Sequence, residues 1–420
     1  MVKKIGATFA IKLLIAILNL AIVVVLSRYL GAAGKGEASL IITSIAMILL
    51  FSNMVGGSTL VYFVPRHNIV QLFLLSNAWS ILVCGLSYFL ISTFFYLPPG
   101  TIIPILILSL INSFLSTNLT ILLGKEKITN YNLLSLFQVF INIGVLLLLL
   151  KGLNQNNIQS YIYSLYAAMG LCLLISTVLI FPFLKNDSIE KQKGMLVKLT
   201  KYGVASQAGH IMKFMSFRFT YYLLVAFSGE VSLGVFSNGV SLIESTFLIC
   251  NSITTILYPK VANSTDIKYS QTLTLNLTKV SILLSIMALV PMVLLPSSFF
   301  IWLFGNEFAE VHQVILLLAP GILFYNIALV IGHYFSGIGK FKINTYANLI
   351  GLVTTFILAV VWYPHFGITE ICIISTISYI ATSLFVILFF VKDAKIKAYH
   401  LLPTYSDYKW LKLNVKTLFK

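Results

Sequence analysis

The chain has 420 residues, of which 59% are hydrophobic and only 10% are charged. Its mean hydropathy of +0.96 excludes a soluble globular protein, because a soluble domain of this size cannot bury so large an apolar fraction. The net charge of +16 would also suit a nucleic-acid-binding protein. However, the basic residues lie in short segments between apolar stretches, so membrane topology explains them better and no nucleic-acid partner is predicted.

Twelve apolar windows are long enough to cross a bilayer as helices, and no alternating barrel pattern is present. In chain order they cover residues 5–27, 37–63, 70–96, 102–123, 131–150, 158–184, 203–226, 231–257, 277–303, 312–335, 344–362 and 368–391. The sequence therefore predicts an all-α polytopic membrane protein with twelve transmembrane helices.

Loop charges predict the orientation of these helices. With the N-terminus in the cytoplasm, 22 of the 28 basic residues lie in or beside cytoplasmic segments. The outer segments then contain Arg28, Lys35 and Lys151. This asymmetry follows the positive-inside rule and predicts that both termini are cytoplasmic.

A short repeat divides the chain into two halves. The segment 124–131 (GKEKITNY) and the segment 339–346 (GKFKINTY) are identical at five of eight positions, 215 residues apart. Because six helices is an even number, duplication of a six-helix unit gives two parallel repeats. The alternative is chance similarity of two short basic loops. The predicted organisation is an N-terminal lobe at 1–184, a charged linker at 185–202, a C-terminal lobe at 203–391 and a basic cytoplasmic tail at 392–420.

Three cations lie inside the predicted spans, where lipid is expected. These cations are Lys12, Lys213 and Arg218, and Glu244 is the one carboxylate that lies at a similar depth in the predicted spans. A cation at the bilayer centre costs roughly 2.5–3.5 kcal/mol on insertion scales, so such residues usually face a bundle interior or a watery cavity. The excess of positive charge predicts an anionic ligand.

The seventh span is the most polar of the twelve. On a helical wheel, its polar side chains fall within an arc of roughly 140°; they are Gln207, His210, Lys213, Arg218 and Tyr221. This pattern indicates a cavity-lining helix, and a helix–helix hydrogen-bond network is the alternative. Arg218 is the best candidate for phosphate contact because its planar fork grips two oxygens, whereas pairing with Glu244 is its alternative role. His210 is a candidate for proton coupling or a packed histidine.

Four further residues complete the candidate substrate site, each with a simpler alternative. Lys12 either lines the cavity as a point charge or snorkels toward the inner surface. Asn19 shares its helix face, where an interhelical hydrogen bond is the alternative. Arg28 and Lys35 lie near the predicted outer mouth, where they meet a phosphate on exit or are solvated loop charges.

The remaining sequence shows no catalytic or cofactor motif. It contains no P-loop, no paired-carboxylate site and no nucleophile triad, so neither an enzyme activity nor a cofactor is predicted. The four cysteines lie far apart in apolar spans and are predicted to be packing or lipid-facing residues; they are Cys84, Cys172, Cys250 and Cys372.

Several motifs together resemble a known transporter family. Residues 28–31 (RYLG), followed by Gly34 and Gly36, are similar to the signature that closes the first helix of bacterial polysaccharide flippases. These flippases belong to the multidrug, oligosaccharidyl-lipid and polysaccharide exporter superfamily. Further similarities lie at Arg218, Gly234, Phe236, Ser237 and Glu244, at 303–308 (LFGNEF), at Gly339–Lys340, at 347–350 (ANLI) and at 364–368 (PHFGI). The resemblance covers about residues 5–391.

The resemblance implies two six-helix lobes arranged in a V around a central cationic cavity. It also implies an inner-membrane protein that moves undecaprenyl-pyrophosphate-linked oligosaccharide, as for O-antigen, from the inner to the outer leaflet. A polysaccharide polymerase is then a candidate partner. The family often has an acidic residue two positions after the seventh-helix arginine, whereas this chain has Thr220 there. Ion coupling through that carboxylate is therefore not expected.

Other functions remain as alternatives. A drug or organic-cation antiporter of the same superfamily requires buried carboxylates. Here Glu244 is the one carboxylate at that depth, and three cations outnumber it. A membrane glycosyltransferase or polymerase requires large outer loops, which are short here. A flippase for the peptidoglycan lipid precursor is a related possibility. The preferred hypothesis is a lipid-linked oligosaccharide flippase that works by alternating access and draws on an ion gradient.

Overall fold

Helices make up nearly all of the computed structural model, which describes residues 2–94, 97–98, 100–185 and 190–402. The helices are α1 (Val2–Ser52), α2 (Gly57–Phe63), α3 (Ile69–Phe94), α4 (Ile102–Gly124), α5 (Ile128–Leu147), α6 (Ile158–Lys185), α7 (Met195–Glu244), α8 (Phe247–Ala262), α9 (Ile267–Leu294), α10 (Ser297–Phe304), α11 (Val311–Gly337), α12 (Phe341–Trp362) and α13 (Ile368–Ala394). The predicted linker is therefore described in part, and most of the predicted basic tail lies outside the described residues.

Two helices are too long to cross a bilayer once, and each is divided by a glycine. Residues 2–52 form α1, which breaks at Gly31 (φ 67°, ψ −170°), and α7 breaks at Gly229 (φ 79°, ψ 177°). That backbone region is open essentially to glycine alone. Ten apolar helical stretches of the described chain are long enough to span a membrane. Two of these ten stretches contain the divided helices α1 and α7. The predicted all-α polytopic fold is therefore confirmed.

The ninth predicted span, 277–303, was misplaced. Helix α9 begins ten residues earlier, after Asp266, whose side chain accepts a hydrogen bond from the backbone N–H of Tyr269 at 3.1 Å. It ends at Leu294, before Pro296, and the short α10 follows. Because polar residues occupy its first turns, hydropathy alone placed the start of this helix too late.

The repeat is visible in backbone geometry, but in a different register. In the α4–α5 turn, the N–H of Lys127 donates to the carbonyl of Leu122 at 2.8 Å, and Glu126 has a positive φ. In the α11–α12 turn, the N–H of Lys340 donates to Phe335 at 2.8 Å, and Gly339 has a positive φ. The equivalent lysines are thus Lys127 and Lys340, two positions away from the pairing that residue identity suggested.

Two compact units contain the described helices. The first comprises Met1–Ile211, Ser228–Gly234 and Leu303–Glu307, and the second comprises Met212–Phe227, Val235–Trp302 and Phe308–Lys420. Apolar clusters fill the first unit among α1, α3, α4, α5 and α6, and the second among α8, α9, α11 and α13. The four cysteines are buried and free, so packing is the one of their two predicted roles that agrees with the structure. The six-plus-six lobe boundaries stay a prediction.

A close backbone contact fixes the start of α7 within the first unit. A Cβ atom added at Gly203 would lie 1.5 Å from the carbonyl oxygen of Met54, in the turn between α1 and α2. Ser58 and Ser206 also share a hydrogen bond of 2.8 Å. Small residues allow helix backbones to approach in this way inside membranes.

Gly203→Ala is therefore expected to destabilise the protein by about 2 kcal/mol or more, because the added methyl group forces α7 away from Met54. Thermal unfolding of the purified variant in detergent measures this loss. Gly170→Ala is the matched control, since a Cβ at Gly170 meets open space within α6. An unchanged melting temperature for Gly203→Ala would contradict the contact.

Candidate functional site

An arginine and a glutamate from one long helix form an ion pair. The two guanidinium nitrogens of Arg218 donate to the two carboxylate oxygens of Glu244 at 2.9 and 2.6 Å. In a straight helix these residues would be about 39 Å apart. The chain folds back at Gly229, so Arg218 on the incoming arm of α7 meets Glu244 at the end of the outgoing arm.

This pair is bidentate and partly shielded from solvent. The side chains of Arg218 and Glu244 are 23% and 17% exposed. The guanidinium carbon also lies 5.1 Å from the ring centre of Tyr221, which is buried. A two-point guanidinium–carboxylate contact is strong and directional. In this conformation, therefore, the fork that was predicted to grip phosphate is engaged by Glu244, which is the alternative role considered for Arg218.

The ammonium group of Lys213 lies among aromatic rings. Its Nζ is 5.6 Å from the ring centre of Phe217, 5.7 Å from that of Phe247 and 5.2 Å from that of Tyr325. Each distance is within cation–π range. Within the described part of the chain, no carboxylate lies within 4 Å of this ammonium. Aromatic rings fix its position but leave its formal charge uncompensated.

The other candidates on α7 have contrasting surroundings. Gln207 is buried in the first unit, where its amide nitrogen lies close to Gly57 at the start of α2. His210 is exposed, one turn further along. The structure thus assigns Gln207 and His210 to the first unit but Lys213 and Arg218 to the second. The prediction that they share one cavity-lining face stays a prediction.

The candidates on α1 lie on both sides of its kink. Lys12 and Asn19 are exposed on the first arm. Arg28 is also exposed, and its Nε donates to the backbone carbonyl of Leu303 at 3.0 Å. The interpretation of Lys35 as a solvated loop charge was wrong, because Lys35 lies within α1, is 5% exposed and donates to the hydroxyl of Ser39 at 2.7 Å.

Known structures share this fold over nearly the whole chain. The lipid II flippase MurJ in an inward closed conformation superposes with a TM-score of 0.71 at 16% identity, covering 98% of this chain and 91% of MurJ. An inward-facing MATE-family multidrug resistance transporter of the MOP superfamily superposes with a TM-score of 0.65 at 13% identity, covering 96% and 95%. The chain has the MurJ and MATE fold.

Comparison of amino-acid sequences finds less similarity than comparison of folds. No protein-family model matches the chain. The capsular polysaccharide biosynthesis protein CapF of Staphylococcus aureus is 24% identical over 154 residues, which is 36% of this chain and 39% of CapF. The chain therefore aligns with well under half the length of that curated relative.

Sequence reasoning missed two groups of residues in this MurJ and MATE fold. Phe217 could have been found, because it lies four residues after Lys213 on one helix face. Phe247 and Tyr325 come from other helices, so no local pattern reveals them. Glu307 was also missed as a functional candidate. Its carboxylate accepts a hydrogen bond from the backbone N–H of Ala32 at 2.6 Å.

Proposed function

We propose that this protein is a flippase for lipid-linked oligosaccharide. Its cargo is an undecaprenyl-pyrophosphate-linked glycan, which moves from the inner to the outer leaflet of a bacterial cytoplasmic membrane by alternating access. Both termini are cytoplasmic in this proposal. A polysaccharide polymerase that receives the glycan is a candidate partner.

The observation that carries this proposal is the charge balance on α7. Arg218 has its carboxylate in Glu244, whereas Lys213 has aromatic rings in place of one. A cation held inside a membrane span is costly unless a counter-charge arrives. A pyrophosphate head group supplies that charge. The fold of a lipid II flippase and the partial similarity to CapF support a glycan-linked cargo.

Cation export is the competing function, because MATE multidrug transporters share this fold. A cationic drug requires an available carboxylate in the binding region. Glu244 is engaged by both nitrogens of Arg218, and the nearby Lys213 adds a further positive charge. These contacts favour an anionic cargo over a cationic one.

Purified protein in vesicles is expected to move a fluorescent undecaprenyl-pyrophosphate-linked oligosaccharide between leaflets, and not to accumulate or release a cationic dye. A leaflet-specific quencher measures the first process, and dye fluorescence measures the second. Protein-free vesicles give the background. Dye transport without lipid-linked sugar movement would replace the flippase proposal with the antiporter. Collapse of the proton and sodium gradients tests the proposed ion coupling separately, and unchanged flipping would contradict it.

A further inference from the structure

Positive charge is concentrated where the chain enters α7. Residues 190–207 contain one carboxylate, Glu190, and four exposed lysines, which are Lys191, Lys193, Lys198 and Lys201. Within the described part of the chain, no carboxylate lies within 4 Å of any of these four ammonium groups. The predicted seventh span starts at residue 203, so this charge lies just before the chain enters the membrane.

Buried contacts and hydrogen bonds hold this segment firmly within the first unit. Met195 and Leu199 lie in one buried apolar cluster with Ile69 of α3. Just before α7, the side chain of Gln71 on α3 bonds twice to the backbone of Gln192. Its Nε2 donates to the Gln192 carbonyl at 2.7 Å, and its amide oxygen accepts from the Gln192 N–H at 2.9 Å. The lysines are therefore attached to a packed part of the fold.

The exposed side of the first turns of α7 has an apolar part and a basic part. On a helical wheel, Leu196, Val197 and Val204 fall within an arc of about 100°, and Lys201 and Lys198 follow beside it, about 60° apart. Val197 and Val204 are 69% and 50% exposed. Exposed aliphatic groups beside cations are typical of a helix at the boundary between lipid acyl chains and headgroups.

Two exposed tyrosines adjoin the basic part. The rings of Tyr202 on α7 and Tyr62 on α2 are nearly parallel, with an interplanar angle of 17° and ring centres 6.1 Å apart. The guanidinium carbon of Arg66 lies 4.3 Å from the ring centre of Tyr62, and its Nη1 donates to the Tyr62 carbonyl at 2.7 Å. Tyrosine is enriched at the headgroup level of membranes, because its ring is apolar and its hydroxyl is polar. Arg66 thus adds a fifth cation.

We propose that this surface binds an anionic phospholipid of the cytoplasmic leaflet. The lysines and Arg66 bind its phosphate, and Val197 and Val204 contact its acyl chains. Charge selects this occupant, because five cations beside one carboxylate require an anionic headgroup. The exposed valines favour a lipid over a soluble anion, which would leave them against water. The leaflet follows from the predicted orientation of the chain, whereas the binding itself is independent of the proposed cargo.

An anionic lipid surface attracts each neighbouring basic residue with an energy equivalent to about fivefold in affinity. A variant that neutralises all four lysines is therefore expected to bind phosphatidylglycerol at least about fiftyfold more weakly. Native mass spectrometry of the purified full-length chain, titrated with phosphatidylglycerol, measures the first bound lipid. The variant is Lys191→Gln/Lys193→Gln/Lys198→Gln/Lys201→Gln. It is expected to keep the parent melting temperature in lipid-free detergent, because all four side chains are exposed.

A matched control removes the same charge from another part of the predicted cytoplasmic surface. It changes four exposed lysines of the second unit, as Lys260→Gln/Lys268→Gln/Lys342→Gln/Lys392→Gln. This control is expected to bind phosphatidylglycerol as the parent does. An equal loss of affinity in both variants would show that net charge alone attracts the lipid, and it would overturn the proposed site.

Three further probes test the identity of the occupant on the parent protein. Phosphatidylcholine with the same acyl chains is expected to bind at least about tenfold more weakly, and equal affinity would overturn the role of charge. Inorganic phosphate is expected to leave phosphatidylglycerol bound, and displacement would indicate a site for free anions instead. Undecaprenyl pyrophosphate at equal concentration is also expected to leave it bound, and displacement would reassign the surface to the cargo. Because none of these measurements uses transport, failure of the proposed flippase function would leave their outcome unaffected.

Discussion

Lys213→Ala is expected to lower lipid-linked oligosaccharide export by about tenfold to a hundredfold, while the protein still inserts at normal levels. A charge-assisted contact with phosphate contributes about 1.5–3 kcal/mol, which corresponds to that range. The aromatic rings of Phe217, Phe247 and Tyr325 hold the ammonium but do not neutralise it. Its removal therefore takes away the positive charge on α7 that is most available to a pyrophosphate.

Three further variants separate charge from packing at this position. Lys213→Met fills the same space without charge and is expected to be as defective as Lys213→Ala. Lys213→Arg keeps the charge and is expected to retain part of the activity. Lys268→Ala, an exposed lysine on α9, is the matched control and is expected to export normally. Export is measured by leaflet-specific quenching and insertion by quantitative blotting. Full export by Lys213→Met would remove this ammonium from the mechanism.

Arg218→Ala is expected both to destabilise the protein and to abolish export. Removing one partner of a buried ion pair costs about 3–5 kcal/mol, because the remaining charge is left without compensation. Here that charge is the carboxylate of Glu244, which is mostly shielded from solvent inside a predicted span. Glu244→Ala is expected to destabilise the protein for the same reason, since it leaves the guanidinium of Arg218 alone.

The double variant Arg218→Ala/Glu244→Ala then distinguishes a structural pair from a cargo contact. With both charges gone, the melting temperature is expected to return most of the way to that of the parent, and a double-mutant cycle measures the coupling. Export is expected to stay absent, because the fork that receives phosphate after release from Glu244 is missing. Recovered export in the double variant would show that the pair serves stability alone.

Membrane solvation explains why the fold was readable from the sequence. In a bilayer every backbone polar group must bond internally, so apolar windows are helices almost by necessity. The windows matching α3, α4, α6, α11 and α13 were placed closely for that reason. Placement failed at α9, where polar residues occupy the first turns of a helix that begins at Ile267. Hydropathy measures the lipid-facing part of a helix and not its hydrogen-bonded ends.

The residues of the candidate site could be predicted from the sequence, but their contacts with one another could not. Depth within a span identified Lys213, Arg218 and Glu244, because charge in an apolar window stands out. Sequence distance could not show whether Arg218 reaches Glu244, since 26 residues separate them along the chain. The reversal at Gly229 decides it. The alternative role of Lys35 as a solvated loop charge failed, because the packing of α1 buries this side chain; its predicted place in the substrate site stays a prediction.

The amino-acid sequence alone determined that the chain is helical and membrane-spanning, and that fixed cations exceed carboxylates within its spans. These properties follow from composition and local periodicity, which each segment carries by itself. Only the tertiary structure decided that Arg218 is paired with a carboxylate and that Lys213 lies among aromatic rings. It alone also showed that Gly36 packs against the backbone of Glu230, and Gly234 against the backbone of Ala32. Such contacts join residues that are distant in the chain, and they exist only where two helices fold back and their backbones meet.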